Sequence, residues 1–273
     1  MTGFPRTALI GGGIMGEAIC RALLAARVTT PDQVSVSDPL PARCEFFRHE
    51  LGTRASTRNV DAVEGAELVI LSIKPQNARD VLHELKAVTG EKTLFISIMA
   101  GVPLQAMSAA LHPGQPIVRV MPNTPAQIGM GISVWTCTPS VTEAQKEHAR
   151  QVLAVMGEEI YADHEDYLDM ATALNGSGPA YVFLFMEALI DAGVHMGLPR
   201  HMAEKLVSQT IKGSVEFASR SRQHPAQLRN QVTSSGGTTA AALYQLEKGG
   251  LRTVISRAVW AAYLRSSELG KKA

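Results

Sequence analysis

Cysteine is scarce in this sequence, and long apolar runs and any excess of charge are missing. The 273 residues include three cysteines, Cys20, Cys44 and Cys137. Because the number is odd and the spacing wide, the sequence predicts neither a disulfide framework nor a C-x-x-C metal or redox pair. We therefore expect no metal site and a reducing compartment, the cytoplasm.

The charge balance argues against two kinds of partner. Lysine and arginine together number 26 and aspartate and glutamate 25, a net charge of +1 without a dense basic run, so we expect no nucleic-acid partner. No stretch approaches the roughly 20 apolar residues of a membrane span, and Glu17 and Arg21 interrupt the apolar N-terminal segment, which argues against a signal peptide. Small molecules and copies of the chain itself are the expected partners.

Apolar residues make up 45% of the chain, enough for a sizeable core, and their pattern predicts two domains. Up to residue 163, short apolar runs alternate with amphipathic segments, which predicts an α/β domain with a doubly wound parallel sheet. The predicted strands are Thr7–Ile10, Val34–Ser37, Leu68–Ile73, Leu94–Ile98, Ile117–Met121 and Ile132–Thr136, with a helix at Met15–Ala26.

From residue 164 to residue 273 helical periodicity replaces the strand pattern. The predicted helices are Tyr181–Ala192, Met202–Ala218, Thr238–Leu246 and Thr253–Leu264, after a break at Gly176–Pro179. Between Tyr181 and Ile190 only Glu187 is charged, so a single layer of helices would leave apolar surface in water. We expect a second subunit to cover it, in a homodimer or larger homo-oligomer.

A glycine motif indicates the ligand of the first domain. Gly11, Gly13 and Gly16 form G-x-G-x-x-G between the first strand and a helix, and Asp38 ends the second strand at about the spacing typical of dinucleotide-binding folds. An aspartate there favours NADH, because it accepts hydrogen bonds from a ribose and repels a 2′-phosphate, whereas Arg43 could pair with that phosphate. We expect both NADH and NADPH to be usable.

Two further segments carry polar groups suited to ligands. Ser72, Lys74 and Pro75 follow a buried strand, at the sheet edge where ligands bind in this architecture. Hydroxyl side chains and two glycines at residues 233–239 precede an alanine-rich helix, an arrangement suited to a carboxylate. No catalytic histidine or carboxylate pair stands out, which fits a reaction that needs hydride from a cofactor and a hydrogen-bonding hydroxyl.

Taken together, the motifs resemble those of the pyrroline-5-carboxylate reductases, the enzymes of the last step of proline synthesis. The resemblance covers essentially the whole chain, and the Met-Pro-Asn-Thr-Pro and Gly-Gly-Thr-Thr segments are its most specific parts. It is carried by IGGGIM at 10–15, SIKPQ at 72–76, SIMAG at 97–101, RVMPNTPA at 119–126, GSGPAYV at 176–182, DAG at 191–193 with GL at 197–198, VTSSGGTT at 232–239 and RSSEL at 265–269.

The resemblance implies a Rossmann domain, a helical domain that interlocks with a partner subunit, and NAD(P)H-dependent reduction of 1-pyrroline-5-carboxylate to L-proline. With Asp38, the implied cofactor positions are Ile10, Gly11, Gly12, Gly13, Ile14, Met15, Gly16, Asn59, Ser72, Lys74, Pro75, Ala100 and Gly101, with Asn123 and Thr124 near the nicotinamide. The implied substrate positions are Ser234, Gly237, Thr238 and Thr239, and Thr239 is the residue expected to hydrogen-bond the imine nitrogen.

Two departures from the family pattern leave alternatives open. The family usually has proline where this chain has Ser235 and serine where it has Asn175, so a related cyclic imine carboxylate is an alternative substrate. A β-hydroxyacid dehydrogenase is a second alternative, but it needs a lysine shortly after a glycine-rich helix start, and none occurs between Tyr181 and Lys205. A dinucleotide-binding protein without catalysis is the third, and it would be expected to lack the hydroxyls that this chain retains.

Overall fold

The computed structural model describes residues 3–270, which form two compact units. One is Gly178–Ala261 and the other comprises the remaining described residues. The domain boundary after residue 163 that the sequence favours stays a prediction.

The larger unit is built on one eight-stranded sheet. Its strands are β1 (Thr7–Ile10), β2 (Val34–Ser37), β3 (Arg54–Ser56), β4 (Leu68–Leu71), β5 (Leu94–Ser97), β6 (Ile117–Met121), β7 (Gly131–Cys137) and β8 (Gly157–Tyr161). They lie in the order β3-β2-β1-β4-β5-β6-β7-β8, which confirms the predicted doubly wound sheet and its six predicted strands to within two residues. Sequence inspection missed β3 and β8, because β3 is short and β8 carries two glutamates and is mostly exposed.

One strand departs from the expected parallel arrangement. β7 runs antiparallel to β6, with Val120 opposite Trp135, while the other neighbouring pairs are parallel. The reason is the connection between them, residues 122–130, which is too short for the crossover that a parallel pair requires. The domain class is unaffected, but the sheet is mixed and not purely parallel.

Helices cover both faces of this sheet. They are α1 (Ile14–Ala25), α2 (Pro41–Leu51), α3 (Asn59–Val63), α4 (Ala78–Lys86), α5 (Leu104–Ala110), α6 (Glu143–Ala154) and α7 (Asp166–Ala171). Alternate residues of β1 point to opposite faces: Leu9 packs with Ile19 and Phe47 of α1 and α2, and Ile10 packs with Leu82 of α4. The strands therefore read as continuous apolar runs because both of their faces are buried.

The helical segment after the sheet consists of α8 (Gly178–His195), α9 (Arg200–Ser221), α10 (Pro225–Gln231), α11 (Thr238–Lys248) and α12 (Leu251–Gly270). The four predicted helices lie within α8, α9, α11 and α12. Of the apolar side chains described between Gly178 and Ala261, only Ala203 is buried. Phe183 and Leu184 of α8 are 62% and 66% exposed, as the sequence pattern predicts for helices that require a partner surface.

The α-helix is interrupted at the expected place, Gly176–Pro179. A π-helical turn, Thr172–Gly176, follows α7, Ser177 forms a bend, and α8 begins at Gly178 with Pro179 in its first turn, within the long helical stretch Asp166–His195. The π-turn widens the helix where the interruption begins. By length and composition this stretch could cross a membrane, and 6% of its most apolar window is buried within the chain. Sequence inspection overlooked it because charged residues interrupt the apolar run.

Candidate functional site

A glycine turn lies at the point where the strand order of the sheet reverses, between β1 and β4. Gly11 has a φ of +99°, a conformation that other residues rarely adopt, and its N–H donates to the Ser37 carbonyl at 2.8 Å. The Ser72 N–H donates to the Ile10 carbonyl at 2.8 Å, and a Cβ on Gly11 would collide with the Ser72 carbonyl oxygen. The ends of β1, β2 and β4 therefore meet at one place, where ligands bind in doubly wound sheets.

The other two motif glycines shape the start of α1. A Cβ on Gly16 would strike the Gly11 carbonyl oxygen, whereas a Cβ on Gly13 would meet nothing within 4 Å. Gly13 caps α1 without a side-chain hydrogen bond, which leaves the first amides of the helix, at Ile14 and Met15, for a ligand. An open backbone at a helix N-terminus fits a dinucleotide pyrophosphate, so the residues present suit this group.

Asp38 is hydrogen-bonded to the backbone of the glycine turn. Its two carboxylate oxygens accept the Gly12 N–H and the Leu40 N–H, each at 2.9 Å. Each oxygen has a further lone pair that a ribose hydroxyl could use. Asp38 thus accepts hydrogen bonds from the turn in addition to its predicted role toward the ribose. The spacing in the sequence predicts the role toward the ribose but not these hydrogen bonds.

Arg43 lies beside the same turn. Its Nε donates to the Gly12 carbonyl at 2.7 Å, a terminal nitrogen donates to Glu17 Oε2 at 2.7 Å, and its guanidinium stacks over Phe46. Partial burial by itself raises the pKa of Glu17, but the hydrogen bonds and charges of Arg43 and Arg21 outweigh it and hold that pKa below its ordinary value. Glu17 therefore stays ionised at neutral pH and fixes Arg43, whose remaining N–H groups can still reach a phosphate.

Asn59 is held at the carboxyl end of β2. Its Oδ1 accepts the Ser37 hydroxyl at 2.7 Å, and its Nδ2 donates to Glu84 at 2.7 Å. Both partners are residues that sequence reasoning missed. Ser37 could have been found, because it is the last residue of a buried strand that precedes the predicted ribose acceptor.

The remaining cofactor positions follow the neighbouring strands. Lys74 is exposed and precedes the short helical turn Pro75–Asn77 after β4. After β5, Gly101 has a φ of +73°, and a Cβ there would come within 3.0 Å of Leu269 Cβ and 3.3 Å of the Ser266 carbonyl oxygen. The loop with Ala100 and Gly101 is therefore packed against the last turn of α12, and glycine is required for both its conformation and this contact.

Asn123 lies between β6 and β7. Its Oδ1 accepts the Ile132 N–H at 3.0 Å, and its backbone is extended before the short helical turn Thr124–Ile128. Thr124 is exposed. The structure thus places Asn123 at the carboxyl end of β6, on the same sheet edge as the glycine turn.

A buried charge cluster in this unit escaped the sequence analysis. Arg119, whose side chain is 4% exposed, donates to Glu165 at 2.7 Å and to Asp169 at 2.9 Å. Glu165 also accepts the Leu104 N–H at 2.7 Å, and Asp169 accepts the Ser266 hydroxyl at 3.0 Å. The signal was present, since an arginine inside the apolar strand β6 needs carboxylates, and Glu165 and Asp169 are one helical turn apart.

The predicted substrate positions come together at the start of α11. Gly237 is the residue before the helix and has no side-chain cap; its N–H donates to the Ser234 carbonyl at 3.1 Å, and a Cβ there would collide with the Ser234 hydroxyl. Gly236 has a φ of +69°. The first amides of α11, at Thr238 and Thr239, are free of intrahelical partners at the positive helix end, a geometry that suits a carboxylate. The Thr233 hydroxyl is already used, because it donates to the Arg229 carbonyl at 2.6 Å.

Comparisons with known proteins identify the same two parts of the chain. Residues 165–269 match the family model described as pyrroline-5-carboxylate reductase dimerisation, and residues 6–101 match the model described as NADP oxidoreductase coenzyme F420-dependent. The chain is 42% identical to the pyrroline-5-carboxylate reductase of Synechocystis sp. over 97% of this chain and 98% of that protein.

Solved structures agree with these matches. The pyrroline-5-carboxylate reductase of Coxiella burnetii has a TM-score of 0.88 at 36% identity, covering 97% of this chain and 98% of its own. The pyrroline carboxylate reductase of Plasmodium falciparum, solved with NADP bound, has a TM-score of 0.91 at 31% identity and covers 99% of this chain and 100% of its own. Because the identity extends over almost the full length of each protein, this chain belongs to the pyrroline-5-carboxylate reductase family.

Proposed function

We propose that this protein reduces 1-pyrroline-5-carboxylate to L-proline, with NADPH or NADH as the hydride donor. The observation that carries the proposal is the glycine turn at the reversal of the strand order, in a chain that is 42% identical to a pyrroline-5-carboxylate reductase over 97% of its length. It is supported by the NADP that the Plasmodium falciparum structure contains.

On the cofactor side, the chain offers a backbone cradle and charged neighbours. The open backbone at Gly13 and the first amides of α1 would hold the pyrophosphate, while Asp38 and Asn59 would hold the adenosine ribose. Ser72, Lys74, Ala100 and Gly101 line the same edge of the sheet, and Asn123 with Thr124 would contact the nicotinamide. When bound, the nicotinamide supplies the hydride.

On the substrate side, we infer that the start of α11 binds the carboxylate. The amides of Thr238 and Thr239 and the Ser234 hydroxyl would donate to it at the positive helix end. Thr239 would hydrogen-bond the imine nitrogen. A protonated imine is already electrophilic, so orientation and one hydrogen bond meet the chemical need without a strong base.

We infer further that the protein is an obligate homo-oligomer whose sites use both subunits. The apolar surface of α8 and the dimerisation model that matches residues 165–269 support this inference. In this proposal the apolar stretch Asp166–His195 contacts the partner subunit and not a lipid bilayer. A cytoplasmic location is the accompanying proposal, supported by three free cysteines, two of which are buried.

The proposed function is tested by nucleotide oxidation with purified protein. Turnover would be measured with 1-pyrroline-5-carboxylate, with its six-membered ring analogue and with a 2-keto acid, each with NADPH and with NADH. We expect the five-membered imine to have the highest kcat/KM with both nucleotides.

Other outcomes of that experiment would select the alternatives. A preference for the six-membered ring would assign a related cyclic imine carboxylate, for which Asn175 and Ser235 would be the first residues to revert. Turnover of the 2-keto acid alone would favour a hydroxyacid dehydrogenase, the class to which the β-hydroxyacid alternative belongs. Nucleotide binding without turnover of any of these substrates would contradict an enzymatic role.

A further inference from the structure

A buried carboxamide ties the π-helical turn to the sheet. Asn175 Nδ2 donates to the Met121 carbonyl at 3.2 Å and to the Ile132 carbonyl at 3.0 Å. Met121 is the last residue of β6, and Ile132 is the second residue of the antiparallel strand β7. Gly176, the next residue, packs against the Met121 side chain, and a Cβ at Gly176 would displace the terminal methyl group of Met121. One side chain on the helical turn therefore holds both ends of the connection between β6 and β7.

The same connection is held from within by Asn123. Asn123 Oδ1 accepts the Ile132 N–H at 3.0 Å, while the Ile132 carbonyl accepts Asn175 Nδ2 at 3.0 Å. Ile132 is thus fixed through both of its backbone polar groups by two asparagines. Asn175 therefore holds the chain two residues before Asn123, through the Met121 carbonyl, and at the residue that Asn123 itself contacts, Ile132.

The oxygen of the Asn175 carboxamide is also unusual. Its Oδ1 is buried and has no hydrogen-bond partner within residues 3–270. Exchanging the oxygen and nitrogen would place the oxygen against two carbonyl oxygens, so the orientation is fixed. An unpaired buried acceptor and a π-turn are both unfavourable, and π-turns inside α-helices occur frequently at functional sites.

We propose that Asn175 is a positioning residue for the segment Met121–Thr124, and through it for the nicotinamide; the role toward the nicotinamide rests on the proposed function. Asn175 contacts no reacting atom in this scheme. It fixes the conformation of the segment before any ligand binds. Asn123 and Thr124 are then already ordered, and cofactor binding does not carry the entropic cost of ordering them.

The chain contains a matched control at the opposite end of β6. Gln115 Nε2 donates to the Gly90 and Thr93 carbonyls at 3.2 and 2.6 Å, and its Oε1 is likewise buried without a partner among the described residues. Gln115 precedes the first residue of β6, whereas the predicted nicotinamide segment follows the last. Both side chains are carboxamides that donate to backbone carbonyls, but Gln115 is more deeply buried and bonds to a loop remote from the segment that follows β6.

The experiment compares Asn175→Leu, Asn175→Ser and Gln115→Leu with the wild type. Two measurements are made on each variant. The first is hydrogen–deuterium exchange of residues 121–132 in the absence of nucleotide, and the second is kcat with the KM values for the nucleotide and for 1-pyrroline-5-carboxylate. We expect Asn175→Leu to accelerate exchange of the Ile132 amide and to lower kcat by about tenfold to a hundredfold, as expected for a misplaced reactant, with a smaller change in nucleotide KM. Asn175→Ser, which keeps one donor, should lie between this variant and the wild type.

Gln115→Leu should accelerate exchange at residues 90–93 and leave kcat unchanged. The proposal is overturned if Asn175→Leu changes neither the exchange of residues 121–132 nor kcat, or if Gln115→Leu lowers kcat as much as Asn175→Leu does, because the effect would then be one of stability alone. If the wild type does not reduce 1-pyrroline-5-carboxylate, the proposed function fails, and the exchange measurement still decides whether Asn175 orders the segment.

Discussion

The two units of this chain bury their apolar residues to very different extents. In the sheet, Phe95 and Trp135 are fully buried between helices on both faces, whereas Phe183 and Leu184 of α8 are more than half exposed. The sheet unit can form a core from its own residues. The helical unit instead exposes large apolar side chains, and it lies within the part of the chain that matches the dimerisation model.

The largest effect should come from a charge placed on the exposed apolar surface of α8. Phe183→Asp is harmless in an isolated subunit, where the side chain is solvated, but costly in an interface, where the carboxylate is buried without a partner. We expect light scattering to show a species smaller than the wild type and activity to be almost abolished. The reason is that an obligate interface buries more than about 2,000 Å², so subunits that lose it lose much of their stabilising apolar contact.

Val88→Asp is the control for this substitution, since Val88 is 47% exposed in the sheet unit. It should leave both subunit number and activity unchanged. A wild-type protein that is monomeric and active at micromolar concentration would contradict the comparison between the two units.

The next largest effect concerns the site of the helical unit. Thr239→Val keeps the shape of the side chain and removes its hydroxyl, so in the proposed role the substrate nitrogen would lose one hydrogen bond. By analogy with donors to a developing charge, kcat should fall by about 10² to 10³. Turnover is measured with saturating nucleotide, with unchanged oligomeric size as the check on folding; a kcat equal to that of the wild type would exclude this role.

A third prediction concerns the buried charges of the sheet unit. Arg119→Met would leave Glu165 and Asp169 without the cation that pairs with both. We expect the free energy of unfolding to fall by about 3 kcal/mol, measured by urea denaturation, because the two carboxylates are left partly buried and unpaired. Arg58, whose exposed side chain lies 3.6 Å from Asp61, is the control, and Arg58→Met should have no measurable effect.

The smallest effect is on the choice between nucleotides. Asp38→Ser removes a negative charge near the 2′-phosphate position and should raise the ratio of kcat/KM for NADPH to that for NADH by at least about fivefold, whereas Arg43→Ala should lower it. Both variants are compared with the wild type at one ionic strength, since salt screens the charge effect.

Arg21→Ala is the control for Arg43→Ala, because both arginines pair with Glu17 but only Arg43 also bonds to Gly12. The ratio for Arg21→Ala should stay within about twofold of the wild type, as for an exposed ion pair. If Asp38→Ser left the ratio unchanged, Asp38 would act only as the acceptor for the Gly12 and Leu40 amides.

Local patterns were sufficient to predict most of the fold. Mostly apolar runs predicted β1, β4, β5 and β6, and the alternation of valine and serine predicted β2. The glycine spacing predicted the turn before α1, because a positive φ restricts the residues allowed. The exposed apolar surface of α8 was predictable from the scarcity of charged residues in its sequence. Each of these features depends on residues that are neighbours in the sequence.

Other features depend on residues far apart in the chain, and they became visible only in three dimensions. The direction of β7, the Arg119 cluster and the bonds of Asn175 to β6 and β7 each join segments whose proximity follows from the whole sheet. The same holds for Asp38, whose carboxylate bonds to an amide 26 positions earlier. A sequence pattern records which groups need a partner, but which partner each one obtains is set by chain topology and packing.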